Sequence, residues 1–205
     1  MIDSTSAILE SFAYSYEKMG YKCDKSDDEI CSLIGYPLDV MYEKLGVKTK
    51  KIDDFILCYK EKYKVISKEK TKLLPKVSEA IILASSFARL GVVTTKTAFY
   101  SKELLEHFNL LKYFCVVIGR EDVINPKPSP EPIIKALKEL KASPEKDNIY
   151  MLGDTILDLI SAKKSQVNAV AVLSGYGKEK ELRKHTDNIK LDVYEAVNNI
   201  KNCSK

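Results

Sequence analysis

The run Asn148-Ile149-Tyr150-Met151-Leu152-Gly153-Asp154-Thr155-Ile156-Leu157-Asp158 changes texture in its middle. Asn148 to Leu152 is short and largely apolar and reads as a strand. Gly153-Asp154-Thr155 is a polar turn, and the chain continues as a helix through Asp158–Lys164. The same alternation repeats outward in both directions. Phe114–Ile118 reads as a strand, and a helix from Pro130 to Leu140 follows, opened by Ser129 with proline at its first position. Further upstream, Gly91-Val92-Val93-Thr94-Thr95 reads as a strand between a helix Val77–Leu90 and a helix around Ser101–Phe108. Downstream, Ala169–Leu173 is another strand. Strands alternating with helices imply a parallel sheet with crossover helices, an α/β doubly wound, Rossmann-like core. In such sheets ligands bind outside the carboxyl ends of the strands, so functional residues are expected just after each one.

The first third of the chain reads differently. Residues 5–70 are expected to be wholly helical. Ala7, Ile8, Phe12, Tyr16 and Met19 fall at helical spacing, with Gly20 as a stop. Ser26-Asp27-Asp28-Glu29 is a capping box whose helix is expected to end near Gly35. Pro37 to Leu45 predicts a short helix ended by Gly46. Ile52, Phe55, Ile56, Tyr59, Tyr63 and Ile66 form an amphipathic stripe, read as the core of a helical bundle.

Composition narrows the function. The chain has 205 residues, 45% hydrophobic and 30% charged, with a net charge of +4. That is the balance of one globular domain, or of one domain with an inserted module. Lysines are scattered among acids, as in Lys60-Glu61-Lys62 and Lys178-Glu179-Lys180, so no nucleic-acid surface is expected. No apolar run is long enough to span a membrane, and Met1 to Glu10 lacks the marks of a secretory signal. A cytoplasmic location is therefore expected. Cys23, Cys31, Cys58, Cys115 and Cys203 show no paired spacing, and His107 and His185 lie far apart. Neither a zinc site nor a serine–histidine triad is indicated. Any chemistry must run on carboxylates, lysines and hydroxyls.

Three strand ends supply such groups. One delivers Thr94, Thr95 and Lys96. A second leads through Gly119-Arg120-Glu121-Asp122 to Asn125-Pro126-Lys127-Pro128. A third delivers Gly153-Asp154-Thr155, with Asp158 close behind. Hydroxyls and a lysine suit the oxygens of a phosphate, and a carboxylate in a wet cleft suits Mg²⁺.

These segments together resemble the haloacid-dehalogenase superfamily, in the branch with phosphoglycolate phosphatase. The resemblance runs from Ile2 to about residue 198. Val92-Val93-Thr94-Thr95-Lys96 resembles the second motif of that family. The match puts the phosphate-binding hydroxyl on Thr94, beside Thr95 and Lys96 as substrate-binding residues. Lys127-Pro128-Ser129-Pro130-Glu131-Pro132 resembles the third motif, which makes Lys127 the catalytic, phosphate-neutralising lysine. Gly153-Asp154-Thr155-Ile156-Leu157-Asp158 resembles the fourth. It implies a metal site in which Asp154 holds Mg²⁺ and Asp158 supports it. Residues 5–72 are then an inserted α-helical cap, and 1–4 with 73–205 the core. Ser174-Gly175-Tyr176-Gly177 is similar to the loop after the last core strand; Lys180 stands where a dinucleotide fingerprint would need a glycine.

The first motif of the family, D-x-D-G-T, holds the nucleophile and the acid, and it is absent from the chain. Met1-Ile2-Asp3-Ser4 resembles only the tail of the usual run, which places the nucleophile ahead of Met1. The strand that carries it lies, in this fold, between those ending at Val93 and Leu152. A gap or substitute pairing is therefore expected there, along with inactivity of residues 1–205 alone.

The resemblance implies a Mg²⁺-dependent phosphatase acting on a small phosphorylated metabolite through an aspartyl-phosphate, as a monomer or homodimer. A phosphosugar mutase or pyrophosphatase of the same branch shares these motifs. A non-catalytic relative that binds a phosphorylated ligand or a partner protein is the alternative from another class. Lys127→Ala is expected to impair catalysis while leaving folding nearly intact. If Lys127 has no such role, it is a solvated lysine in a proline-rich turn.

Overall fold

The computed structural model describes residues 1–203. The chain divides into two compact units, Ile2–Lys72 and Met1 with Leu73 onward.

The first unit is helical. β1 (Ile2–Asp3) leads into α1 (Thr5–Lys18), α2 (Asp27–Cys31), α3 (Leu38–Lys44) and α4 (Ile52–Lys70), and β2 (Lys72–Leu73) follows. β1 and β2 pair. The expected stripe on α4 is inward: Ile52, Phe55, Tyr59, Tyr63 and Ile66 are buried, with Ile56 half-buried. Phe12 of α1 meets Tyr42 of α3 and Tyr59 of α4 at ring-centroid distances of 4.7 and 5.2 Å. The Tyr42 hydroxyl pairs with Ser15 Oγ at 2.6 Å, satisfying two buried hydroxyls. Burial pushes the Tyr42 phenol well above its usual pKa. The capping box at Ser26 forms as expected, with Glu29 N–H donating to Ser26 Oγ and Ser26 N–H to the Glu29 carboxylate. Its helix stops at Cys31, four residues short of Gly35, and Ser32–Tyr36 turn instead. Ser32 Oγ donates to Glu29 O at 2.7 Å, a local bond of the kind that competes with helix continuation.

The second unit alternates. α5 (Val77–Ser85), β3 (Leu90–Val93), α6 (Ala98–His107), β4 (Phe114–Ile118), α7 (Glu131–Leu140), β5 (Tyr150–Gly153), α8 (Ile156–Lys164) and β6 (Asn168–Val172) follow one another. α9 (Glu179–Leu182), β7 (Ile189–Lys190) and α10 (Val193–Cys203) complete it. Its strands pair in parallel: β3 with β4, β5 with β6, and β6 with β7. Helices cover both faces, as a doubly wound fold requires. Val92 and Val117 face α5 and α6, burying against Val77, Ile81, Ala98 and Leu105. Val116 and Ile118 face the other way, onto Ala136 of α7. Ile133 and Leu137 of α7 pack with Ala162 of α8. Val170 and Val172 of β6 lie against Ala196 of α10.

β3 and β5 are the inner edges of two separate sheets and do not pair with each other. They nevertheless share apolar neighbours. Val93 and Met151 belong to one cluster, and Leu90 and Leu152 to another. The break in the ladder falls at the expected gap.

Candidate active site

β3 ends at Val93 and releases Thr94, Thr95 and Lys96 into a turn. Thr94 N–H donates to Ile118 O at 2.9 Å, carrying the ladder one residue beyond the strand. Thr94 Oγ1 accepts from Lys96 N–H at 3.1 Å, which bends the chain away from the sheet. Lys96 O accepts from Arg120 N–H at 2.9 Å and ties this turn to the one after β4. The tie is reinforced by Glu121. Its carboxylate accepts from Ala98 N–H at 2.8 and 2.9 Å and from Phe99 N–H at 3.4 Å. A remote acid thus satisfies the open N–H groups at the start of α6, where negative charge is also favoured by the helix dipole. A Cβ on Gly119 would lie 2.0 Å from Ala98 N, so only glycine permits this approach. In the sequence this contact was visible only as a polar turn, because its partner lies 23 residues away.

Lys127 is not a solvated turn residue. It is 8% exposed, and Nζ donates to Val93 O at 3.0 Å and to Asp158 Oδ1 at 2.5 Å. The ammonium therefore sits at the carboxyl end of β3, one residue before Thr94. The loop that carries it contains prolines at 126, 128, 130 and 132, which leaves few N–H donors to pin it. The peptide between Lys127 and Pro128 is cis. Ser129 N–H donates to Pro126 O at 2.9 Å, and Ser161 Oγ of α8 donates to Ser129 O at 2.7 Å. Glu131 closes the loop. Its carboxylate accepts from Ile124 N–H at 2.7 Å, and from Asn125 N–H and Nδ2 at 2.9 Å each. The Ile124 and Asn125 N–H groups hold the Glu131 carboxyl below the usual carboxylate range.

β5 ends at Gly153 and delivers Asp154 and Thr155. Thr155 is the N-cap of α8: its Oγ1 accepts from Asp158 N–H, and Asp158 Oδ2 accepts from Thr155 N–H at 3.1 Å and from Thr155 Oγ1 at 2.8 Å. With Oδ1 on Lys127, both oxygens of Asp158 are engaged. Asp158, expected from the sequence to support the metal site, is the buried partner of Lys127 and the N3 member of the capping box that opens α8. Its side chain folds back over Gly153, where a Cβ would lie 2.2 Å from Asp158 Cβ.

Asp154 is held by the loop after β6. Oδ2 accepts from Tyr176 N–H at 2.9 Å, and its backbone O from Gly177 N–H at 2.9 Å. A Cβ on Gly175 would lie 2.0 Å from Asp154 Oδ2. Asp154 Oδ1 accepts no hydrogen bond from the described residues. The backbone nitrogen of Met1 lies close enough to feel both carboxylates. Burial lowers the pKa of its ammonium, while the charges of Asp154 and Asp158 raise it.

The donor set fits a magnesium ion only in part. Among the described residues no three His, Cys, Asp or Glu side chains gather into a metal cluster. Mg²⁺ is commonly held by one or two carboxylates together with waters and phosphate oxygens, and Asp154 offers one such oxygen. Thr94, Lys127, Asp158 and the cradle of Asp154 stand at the ends of β3 and β5. Thr95 follows Thr94 in the same turn, and the Lys96 backbone bonds to the Thr94 hydroxyl.

Known proteins share this plan. The family model described as haloacid dehalogenase-like hydrolase matches residues 1–172. A protein of Caldanaerobacter subterraneus named "Putative pyrophosphatase PpaX" is 31% identical over all of this chain and 92% of its own length. The phosphoglycolate phosphatase of Salmonella paratyphi A is 36% identical over 56% of this chain, a match that spans 45% of that enzyme. Among solved structures, a haloacid dehalogenase-like hydrolase from Bacteroides fragilis superposes with a TM-score of 0.88 and 26% identity, covering 96% of this chain and 94% of that one. The Streptococcus pneumoniae family protein SP0104 shares the fold with a TM-score of 0.85 at 21% identity, covering 98% and 93%. With the strand-end residues in these positions and the family model spanning most of the chain, the protein belongs to the haloacid dehalogenase-like hydrolase family.

Proposed function

We propose that this chain is the greater part of a Mg²⁺-dependent phosphatase that hydrolyses a small phosphate monoester of the phosphoglycolate class. The observation that carries this reading is the Lys127 ammonium, anchored on Val93 O beside Thr94 and paired with buried Asp158. A buried ammonium next to a hydroxyl-bearing strand end suits the oxygens of a transferring phosphoryl group, whose charge must be neutralised. In this reading Thr94 and Lys127 act on the phosphoryl group, Thr95 and Lys96 line its approach, and Asp154 holds the metal. When bound, Mg²⁺ supplies further neutralisation of the phosphoryl oxygens.

The nucleophile belongs to a D-x-D-G-T segment ahead of Met1. Two observations support that placement. The buried Met1 ammonium feels the charges of Asp154 and Asp158, and β3 and β5 leave an unpaired interval between them. The first aspartate of that segment attacks phosphorus, forming an aspartyl-phosphate as the ester P–O bond breaks. The second donates a proton to the departing alkoxide. It then takes one from water as water attacks phosphorus, which breaks the P–O bond to the first aspartate, frees its carboxylate and releases inorganic phosphate. The helical unit Ile2–Lys72 is proposed to be the α-helical cap domain. The protein is proposed to be a cytoplasmic monomer or homodimer; no described helix is long and apolar enough to cross a membrane.

A pyrophosphatase is the second reading, favoured by the name of the relative that matches the whole chain. The experiment is phosphate release from phosphoglycolate, pyrophosphate and an aryl phosphate, with Mg²⁺ or chelator, by a form carrying the upstream motif. Turnover of the monoesters that Asp154→Asn cuts by about 10²-fold or more is expected. Preference for pyrophosphate establishes the second reading. An Asp154→Asn enzyme with the parent's turnover and Mg²⁺ response removes Asp154 from the metal site.

A further inference from the structure

We propose that Glu131 is a positioning residue for Lys127: its carboxylate clasps the incoming half of the proline-rich loop and thereby fixes where the lysine ammonium stands. The inference rests on the phosphatase reading for its kinetic consequence but not for its geometry.

Donors are scarce in this loop. Between Ile124 and Pro132, alternate residues from 126 onward are prolines and carry no N–H. The outgoing half is anchored independently. Ser129 O accepts from Ser161 Oγ of α8, and α7 begins at Glu131. On the incoming half, the Ile124 and Asn125 N–H groups both donate to the Glu131 carboxylate, which also takes the Asn125 side-chain amide. Lys127 lies midway between the two anchors. Its long side chain is 9% exposed and ends on two fixed acceptors that belong to other elements, Val93 O and Asp158 Oδ1. A flexible four-carbon stem reaches both only if its Cα is held in place. Glu131 supplies that restraint from a half-exposed position. Glu131 is not among the buried core residues, so its truncation opens no core cavity.

Charge and shape both matter in the clasp. The acceptor must offer two oxygens to two parallel N–H groups. A glutamine offers one oxygen and turns an NH₂ toward the other donor, and an aspartate is one methylene too short. Loop order and turnover are therefore both expected to fall from the parent to Glu131→Gln to Glu131→Ala. Displacing a catalytic group by about an ångström costs up to about 10²-fold in rate.

The experiment has two arms on the same proteins, each carrying the upstream motif. The first is trace acetylation with acetic anhydride, mapped by mass spectrometry, with the exposed Lys138 as internal standard. Lys127 is expected to be protected in the parent, several-fold more reactive in Glu131→Ala, and intermediate in Glu131→Gln. The second is steady-state hydrolysis of an aryl phosphate. Here kcat is expected to fall about 10- to 100-fold in Glu131→Ala, with KM changed far less. Unchanged Lys127 labelling in a variant with parent-like circular dichroism overturns the proposal. So does raised labelling with kcat intact. A parent that releases no phosphate defeats the phosphatase reading, and the labelling arm then decides the clasp alone. If Glu131→Ala does not fold, Glu131→Gln decides between the same outcomes in both arms.

Discussion

Removing the Lys127 ammonium strips two acceptors at once. Val93 O loses its donor, and Asp158 keeps only the Thr155 hydroxyl and N–H against its charge. Both side chains of the pair are under a tenth exposed. Breaking such a pair from one side typically costs about 3–5 kcal/mol, because an uncompensated charge stays buried. The expectation that Lys127→Ala would leave folding nearly intact is thus revised by its burial. Lys127→Ala is expected to lower stability by about that amount, read from denaturant melts, and to abolish phosphate release. Adding Asp158→Asn neutralises the orphaned charge, so the double variant is expected to regain part of the stability and none of the activity. A double variant no more stable than Lys127→Ala would show that the orphaned Asp158 charge is not the source of the loss. The lysine itself was legible in its proline-rich setting. Its pairing was not, because Val93 and Asp158 lie 34 and 31 residues away and only the fold brings them to it.

Turns, rather than strands and helices, carry the information at the scale of elements. The periodicity of α4 and the apolar runs of β4 and β6 are strong local signals, and the elements lie close to where those signals place them. The helix begun at Ser26 and the one begun at Val77 both end earlier than expected, at Cys31 and Ser85. Their last turns are closed by local bonds from Ser32 and from Ser85 and Ser86, which periodicity does not register. α9, β7 and α10 follow β6 without having been read from the sequence; β7 and α9 are too short for any period to show. Gly175 was legible only as a family loop residue, whereas the structure gives it a physical reason. Its missing Cβ leaves room for the Asp154 carboxylate that Tyr176 N–H grips. Gly175→Ala must therefore move either the loop or Asp154. The expected result is a loss of stability of about 1–3 kcal/mol and a fall in Mg²⁺-dependent turnover of about 10- to 100-fold, with a raised Mg²⁺ requirement. Measuring the melt and a Mg²⁺ titration together checks it. An alanine variant with the parent's Mg²⁺ dependence would show that the carboxylate does not need this cradle.

Across the molecule, the order of the strands and their division into β4–β3 and β5–β6–β7 put the site at a break in the sheet. Alternation along each strand shows what the break exposes. Thr94 N–H faces β4 and Ile149 O faces β6, so Val93 and Gly91 on one side, and Tyr150 and Leu152 on the other, turn their peptide groups into the interval. Lys127 caps one of these groups, Val93 O. The others are edge groups in the middle of a fold whose helices cover both faces, where unpaired N–H and C=O are costly. A parallel strand inserted there pairs both edges. It also adds inward side chains to the clusters that Val93 shares with Met151 and Leu90 with Leu152, at about 1.5–3 kcal/mol for each one fully buried. Domain stability is typically about 5–15 kcal/mol, so the strand's contribution is comparable with the whole. Residues 1–205 alone are therefore expected to melt well below a form that also carries the strand and D-x-D-G-T, and to release no phosphate from an aryl phosphate. The longer form is expected to show both cooperative melting and Mg²⁺-dependent turnover. The two defects are separable, because a strand ending in N-x-N-G-T restores the edges without the carboxylates. That third form is expected to recover the melt and remain inactive. Equal melts for the short and long forms would show that the interval between β3 and β5 needs no strand, and turnover by the short form would place the nucleophile elsewhere in the chain.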